Sequence, residues 1–288
     1  MRSVRITQSV VYMVTALAVA LGVFLNIALA NGKFSLSNLW GEHYYAENTL
    51  WTYLSIVFVA AIGYLTARQL PADGVTLKLS KGVTGEGEST VDDVPAAKLV
   101  FGSRYVGGIL LRPISLFVGL SWVAAGEHKI RDAAWMSNGY ALVNPDPKVQ
   151  GFWERIAAIP EPPARPAIAA DFGWYRDFIN YMINHGWETW FGKVIALGEF
   201  AIGLGLIFGC LLGVAAFFGI MLNLNFMLAG TASTNPILLV LSVPLIIGYK
   251  VASFYGLDRW VLNALGTPWS PGQLFRHEEP MPTASPAD

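Results

Sequence analysis

The chain has 288 residues, of which 54% are hydrophobic and 14% charged, against roughly a quarter charged in soluble domains, and its mean hydropathy is +0.46. That balance predicts an integral membrane protein, and a net charge of −1 provides neither the basic excess nor the motifs expected of a nucleic-acid binder. A single cysteine, Cys210, excludes an intrachain disulfide, a thiolate zinc site and a cysteine-held iron–sulfur cluster; four histidines remain, and no metal site is expected.

Windows of about 20 apolar residues pick out six spans, at roughly 9–30, 50–67, 104–127, 191–210, 213–230 and 236–256. Hydrocarbon offers no partner for free backbone groups, and the runs are too long and too evenly apolar for barrel strands, so all six are expected to be helices. The expected fold is therefore an all-α integral membrane protein. Arg2 and Arg5 ahead of a run closing on Ala28-Leu29-Ala30 imitate a secretory signal. The apolar run of about 22 residues is longer than a signal core, and the first span is expected to be retained.

Residues 71–97 (PADGVTLKLSKGVTGEGESTVDDVPAA) are polar and Gly-rich, which predicts a mobile linker or a small hairpin. The chain divides accordingly into a two-helix unit (1–70), a linker (71–100), a four-helix bundle (101–262) with a long loop at 128–190, and a tail (263–288). Basic residues set the orientation. The segment 68–104 carries Arg68, Lys78, Lys81, Lys98 and Arg104 against Lys33 alone in 31–49. Both termini are then cytoplasmic, the 128–190 loop is extracytoplasmic, and the expected location is the inner membrane of a prokaryote.

The outer loop interleaves prolines with Trp153, Trp174, Tyr175, Tyr181, Trp187 and Trp190, residues suited to an interfacial aromatic belt. A short helix is expected at 174–184, N-capped by Asp171 and ending near Gly186, lying on the leaflet or capping the bundle. Ala201, Gly205, Gly209 and Gly213 recur every fourth residue and predict a smooth packing ridge down the fourth span. Pro113 and Pro244 are expected to kink the third and sixth spans or to mark irregular turns in them.

Polar residues inside the spans point to chemistry. Glu199 lies about eight residues into the fourth span, roughly 12 Å deep at 1.5 Å per residue, with Asn223 and Asn225 at a matching depth in the fifth. A carboxylate there costs about 3 kcal/mol unless neutral, paired or hydrated, so a functional role is the default. The third span ends on WVAAGEHKIRDAAW, which crowds Glu127, His128, Lys129, Arg131 and Asp132 into six positions. These residues would roof one outer polar pocket holding Glu199, Asn223 and Asn225; the alternative is a buried hydrogen-bond network that only specifies helix pairing. Arg112 and Lys250 fall toward the cytoplasmic third. They either snorkel to the inner headgroups or, for Arg112, hold a quinone headgroup or a carboxylate.

The strings LLRPISLFVGLSWVAAGEHKI, VIALGEFAIGLGLIFGCLLGVAAFFGIMLNLNFMLAG and STNPILLVLSVPLIIGYKVASFYGLDRW resemble the DoxX/DoxD membrane family over about residues 101–262. The marks are Arg112, Gly126 and Lys129 in the third span, Gly198-Glu199 in the fourth, Asn225 to Gly230 closing the fifth, Asn235-Pro236 opening the sixth, and the final GLDRW. The family pattern is a four-helix bundle, from which this chain departs by two extra N-terminal helices. The DoxD type is the membrane subunit of thiosulfate:quinone oxidoreductase, which implies thiosulfate joined to tetrathionate at the outer face and electrons passed to a diffusible membrane quinone. On that resemblance Glu199, His128 and Lys129 are the expected catalytic residues. Lys129, Arg131, Arg176 and Lys193, with Asn223 and Asn225, would bind the sulfur dianion, and Arg112 and Trp122 the quinone.

There is no G-x-G-x-x-G after a strand and no C-x-x-C-H, so no flavin or haem motif accompanies the quinone. Electrons would pass directly from thiosulfate or through a partner; the family implies a second subunit or larger membrane complex. Two further readings stand beside the enzyme: a non-catalytic accessory subunit of a respiratory or photosynthetic complex, and a transporter in which Arg112 and Lys250 share a cavity with Glu199. No inverted repeat supports transport.

Overall fold

The computed structural model describes residues 2–28, 49–79, 95–158, 172–231, 233–267 and 270–275. Strand β1 (Arg2–Ile6) leads into α1 (Gln8–Val23), whose first turn is closed by Thr7 accepting the Val10 N–H; a π-helical turn, Phe24–Ala28, follows. Helix α2 (Thr49–Gln69) packs along α1 and ends in β2 (Val75–Leu79). After α3 (Pro95–Gly102) comes the central helix α4 (Gly107–Arg131), then α5 (Ala133–Met136), α6 (Phe152–Ala157) and α7 (Gly173–Asn184). The bundle is completed by α8 (Glu188–Phe208), α9 (Leu212–Leu228), α10 (Asn235–Ile247) and α11 (Tyr249–Ala252). Helix α12 (Asp258–Leu265) and the two-residue strands β3 (Gly266–Thr267) and β4 (Ser270–Pro271) follow.

The chain is a helical membrane protein. Three helical stretches, Gln8–Asn26, Gly107–Arg131 and Glu188–Phe208, are long and apolar enough to cross a membrane, while Leu212–Leu228 and Asn235–Ile247 are apolar but shorter. Large apolar side chains face outward on these helices, among them Leu17, Val194, Leu197, Phe217, Phe218 and Val240, as hydrocarbon surroundings require. Small residues occupy the closest helix contacts instead.

The closest helix pair is α4 with α8. A Cβ on Gly126 would come within 2.5 Å of the Phe200 nitrogen, and one on Gly203 within 2.5 Å of the Val123 nitrogen, so glycine alone lets these backbones meet. This replaces the expected ridge. Ala201 is exposed and α8 ends before Gly209, which takes a left-handed conformation (φ +60°) at its C-terminus. Gly213 belongs to the next helix and faces Tyr249.

Two other expectations are revised. No hairpin forms within the described part of 71–97: β2 pairs antiparallel with β1, Ile6 opposite Val75 and Arg2 opposite Leu79. The turn before it needs Gly74, at φ +73°, because a Cβ there would lie 2.4 Å from the Ile6 carbonyl oxygen. The sixth span breaks at Gly248, where α10 gives way to α11. Pro244 cannot donate a helical hydrogen bond, and Gly248 lets Leu111 and Phe101 approach. Pro113, by contrast, sits inside a continuous α4.

The described parts of the 128–190 loop fold over one end of the bundle. Tyr175, Ile179 and Met182, spaced i, i+4, i+7 on α7, are buried with Leu142, Trp153, Ile156, Ile195 and Ala229. Of the two positions expected, α7 takes the cap. Gly186 follows its C-terminus at φ +66°, and the expected N-cap Asp171 lies outside the described residues.

Candidate functional site

Helical phase selects one ionisable group from the cluster that ends α4. Lys129 turns inward and its Nζ donates to Glu199 Oε2 at 2.7 Å, across the α4–α8 contact. The Glu199 side chain is 1% exposed and that of Lys129 17%, so Lys129 is the less buried member of the pair. Two rings flank it, Trp135 at 5.3 Å and Phe226 at 5.9 Å from Nζ. The other members of the cluster stay outside: Glu127 pairs with Arg131 on the exposed face, Asp132 caps α5 through the Ala134 N–H, and His128 is exposed.

Behind the pair the polar groups are incomplete. Glu199 Oε1, both side-chain polar atoms of Asn223 and Trp122 Nε1 are buried without hydrogen-bond partners among the described residues. Three helical stripes bring them to one region: Trp122, Gly126 and Lys129 on α4, Glu199 and Ile202 on α8, and Gly219, Asn223 and Phe226 on α9. The position of a Cβ on Gly219 is 3.1 Å from Trp122 Nε1 and 3.5 Å from Ile202 Cγ2, which fixes how α9 meets the other two. Asn223 follows one turn later. Leaving such groups unpaired costs about 1–3 kcal/mol each.

The remaining expected residues are not brought to this place. Asn225 is exposed and spends its amide on the Met221 carbonyl at 2.7 Å. Its own backbone oxygen accepts the Tyr175 hydroxyl at 3.1 Å, and burial pushes that phenol up to about 12. Arg176 sits half-buried on α7, and Lys193 half-buried on α8, about 240° around the helix from Glu199 at 100° per residue.

Arg112 lies roughly 25 Å from Lys129 along α4 at 1.5 Å per residue, and only 2% of it is exposed, so it does not snorkel. It donates to Ser115 Oγ at 3.0 Å, to the Leu206 carbonyl at 3.1 Å and to the Ile207 carbonyl, satisfying the C-terminus of α8. Across the same turn, Asp258 accepts the Leu211 N–H at 2.5 Å and the Leu212 N–H at 3.0 Å, capping α9. Sequence reasoning gave Asp258 no role although it lies in the closing GLDRW; the turn it caps is more than forty residues away in the chain, so no local pattern joins the two. Trp122, roughly 15 Å from Arg112 along α4, belongs with Glu199. Cys210 lies in the same turn, and burial, then the Asp258 carboxylate, push its thiol up, away from a reactive thiolate.

Beside Arg112 is a cleft of about 470 Å³ lined by Phe58, Leu116, Leu120, Phe208 and Trp260, and it is predominantly apolar. The Lys129–Glu199 cluster can do different chemistry: it is neutral in sum and offers both donors and acceptors that have no partner among the described residues. Compared with family models, curated proteins and solved structures, the chain matches none.

Proposed function

We propose that the chain is the membrane subunit of a quinone-reducing oxidoreductase of the DoxX/DoxD type. It crosses the membrane six times with both termini cytoplasmic, α2, α9 and the broken α10–α11 pair supplying the spans beyond the three long apolar ones. The observation that supports this reading is the buried Lys129–Glu199 pair with its unsatisfied neighbours. A charge pair kept inside a membrane bundle is costly and marks a working site by default.

A quinone headgroup suits the rim of that site. It is flat and neutral, so it stacks against Trp135 and Phe226 while a carbonyl accepts from Lys129 Nζ. Reduction adds two electrons and two protons, converting carbonyl acceptors into hydroxyl donors. Glu199, linked to the rim through Lys129, holds and delivers protons, and exposed His128 exchanges them with water. The electrons come from two thiosulfates, whose outer sulfurs join in one S–S bond to give tetrathionate. Lys129 is neutralised by Glu199 and Arg131 by Glu127, so the dianions are oxidised on a partner subunit against this chain's capped end.

The test is thiosulfate-dependent reduction of a soluble quinone analogue by the purified complex, run beside Glu199→Gln and Lys129→Ala. Turnover that falls at least tenfold in both folded variants supports the assignment. No turnover from folded wild-type complex leaves the pair as the pairing element of an accessory subunit.

A further inference from the structure

At the end of the bundle opposite the Lys129–Glu199 pair, a cavity of about 440 Å³ opens between α11, α12 and β3. Lys250 and Arg259 on its wall are exposed and form no ion pair among the described residues; their packing is against the Tyr249, Phe254 and Trp260 rings. Among the described residues the one carboxylate in the lining is Asp258, which is turned into the α9 N-terminus by its two backbone bonds and neutralises neither. Asn263 adds an exposed amide, and Thr267 Oγ1 is buried without a partner. A site with two free cations, an amide and an unused hydroxyl matches a phosphate oxygen cluster.

The cavity lies next to the apolar cleft beside Arg112, with Phe254 and Arg259 lining both. Helix α12 carries Trp260 and Leu265 outward, with Leu257 just before its start also exposed, an arrangement for lying at the level where headgroups meet acyl chains. Polar pocket and apolar groove are thus adjacent, and α12 contributes residues to both.

We infer that these adjacent sites bind one anionic phospholipid, its phosphate held by Lys250 and Arg259 and an acyl chain laid in the cleft along Leu116, Leu120 and Trp260. Lipid binding here needs only the membrane setting and is independent of the redox reading. It gives the Arg112 cleft an occupant other than quinone.

Native mass spectrometry of the detergent-solubilised protein, titrated with phosphatidylglycerol, phosphatidylcholine or inorganic phosphate, tests this directly. Phosphatidylglycerol is expected to bind in preference to phosphatidylcholine. Affinity should drop roughly thirtyfold in Lys250→Ala/Arg259→Ala, from about fivefold per basic residue near an anionic surface. Arg68→Ala, removing an exposed cation outside the cavity, should leave it unchanged, and Leu120→Trp should weaken it by obstructing the cleft. Equal loss in Arg68→Ala, equal retention of the two lipids, binding of free phosphate alone, or unchanged affinity in the double variant would each overturn the assignment.

Discussion

Lys129 and Glu199 stand seventy positions apart in the chain and 2.7 Å apart in the fold. Their contact crosses the tightest helix interface of the bundle, one turn from where Gly126 meets the Phe200 backbone. Removing one partner should therefore hurt more than removing both. Lys129→Ala strands a carboxylate and is expected to lower stability by about 3–5 kcal/mol, whereas Lys129→Met/Glu199→Leu is expected to come within about 1–2 kcal/mol of wild type. A double-mutant cycle followed by unfolding in mixed detergent micelles measures the difference.

The α4–α8 contact itself depends on glycine at one position and not at its neighbour. Gly126→Ala places a methyl against backbone and is expected to cost about 1–3 kcal/mol by forcing the helices apart. Gly198→Ala meets nothing within 4 Å and should unfold with the wild type. Thermal unfolding of the two variants side by side checks the pair.

Arg112 and Asp258 clamp the turn between α8 and α9 from opposite sides. Asp258→Ala removes two backbone acceptor contacts and is expected to cost about 1–2 kcal/mol, the range for losing an N-cap. Arg112→Lys retains the charge but not the fork that reaches two carbonyls, so it should lose stability as well.

Tyr175 offers a pH signature for the cap. Burial, which ties α7 to the bundle, disfavours the phenolate and pushes the phenol up from the ordinary 10 to about 12. A group bound to its proton more tightly in the fold contributes stability fully below pH 10 and loses it as pH rises from 10 to 12. Tyr175→Phe should lack that alkaline component. Absorbance difference titration of wild type against the variant locates the phenol, and cap unfolding followed by tryptophan fluorescence reports the consequence.

Much of this was written in the sequence. Six apolar runs correspond to helices to within a few residues, with the sixth ending at Ile247 before a break, and a carboxylate in an apolar run singled out Glu199. What failed was helical phase. Asn223 and Asn225 are about 200° apart at 100° per residue, so they cannot both face one interior, and the same arithmetic separates Lys129 from His128. The β1–β2 pairing was hidden because it joins short segments about 70 residues apart, which no local pattern announces. Arg112 looked like a ligand-binding cation because its partners are backbone carbonyls, which carry no residue signature.

The assignment of quinone to the rim of the Lys129–Glu199 pair is tested most directly by photolabelling. Purified complex is illuminated with an azido-quinone, with and without excess unlabelled quinone, and the modified peptides are mapped by mass spectrometry. The expected result is competable label on the segments carrying Trp135 and Phe226, reduced in Lys129→Ala. Competable label confined to Phe58, Leu116 and Trp260 would move the quinone to the Arg112 cleft and contradict the account.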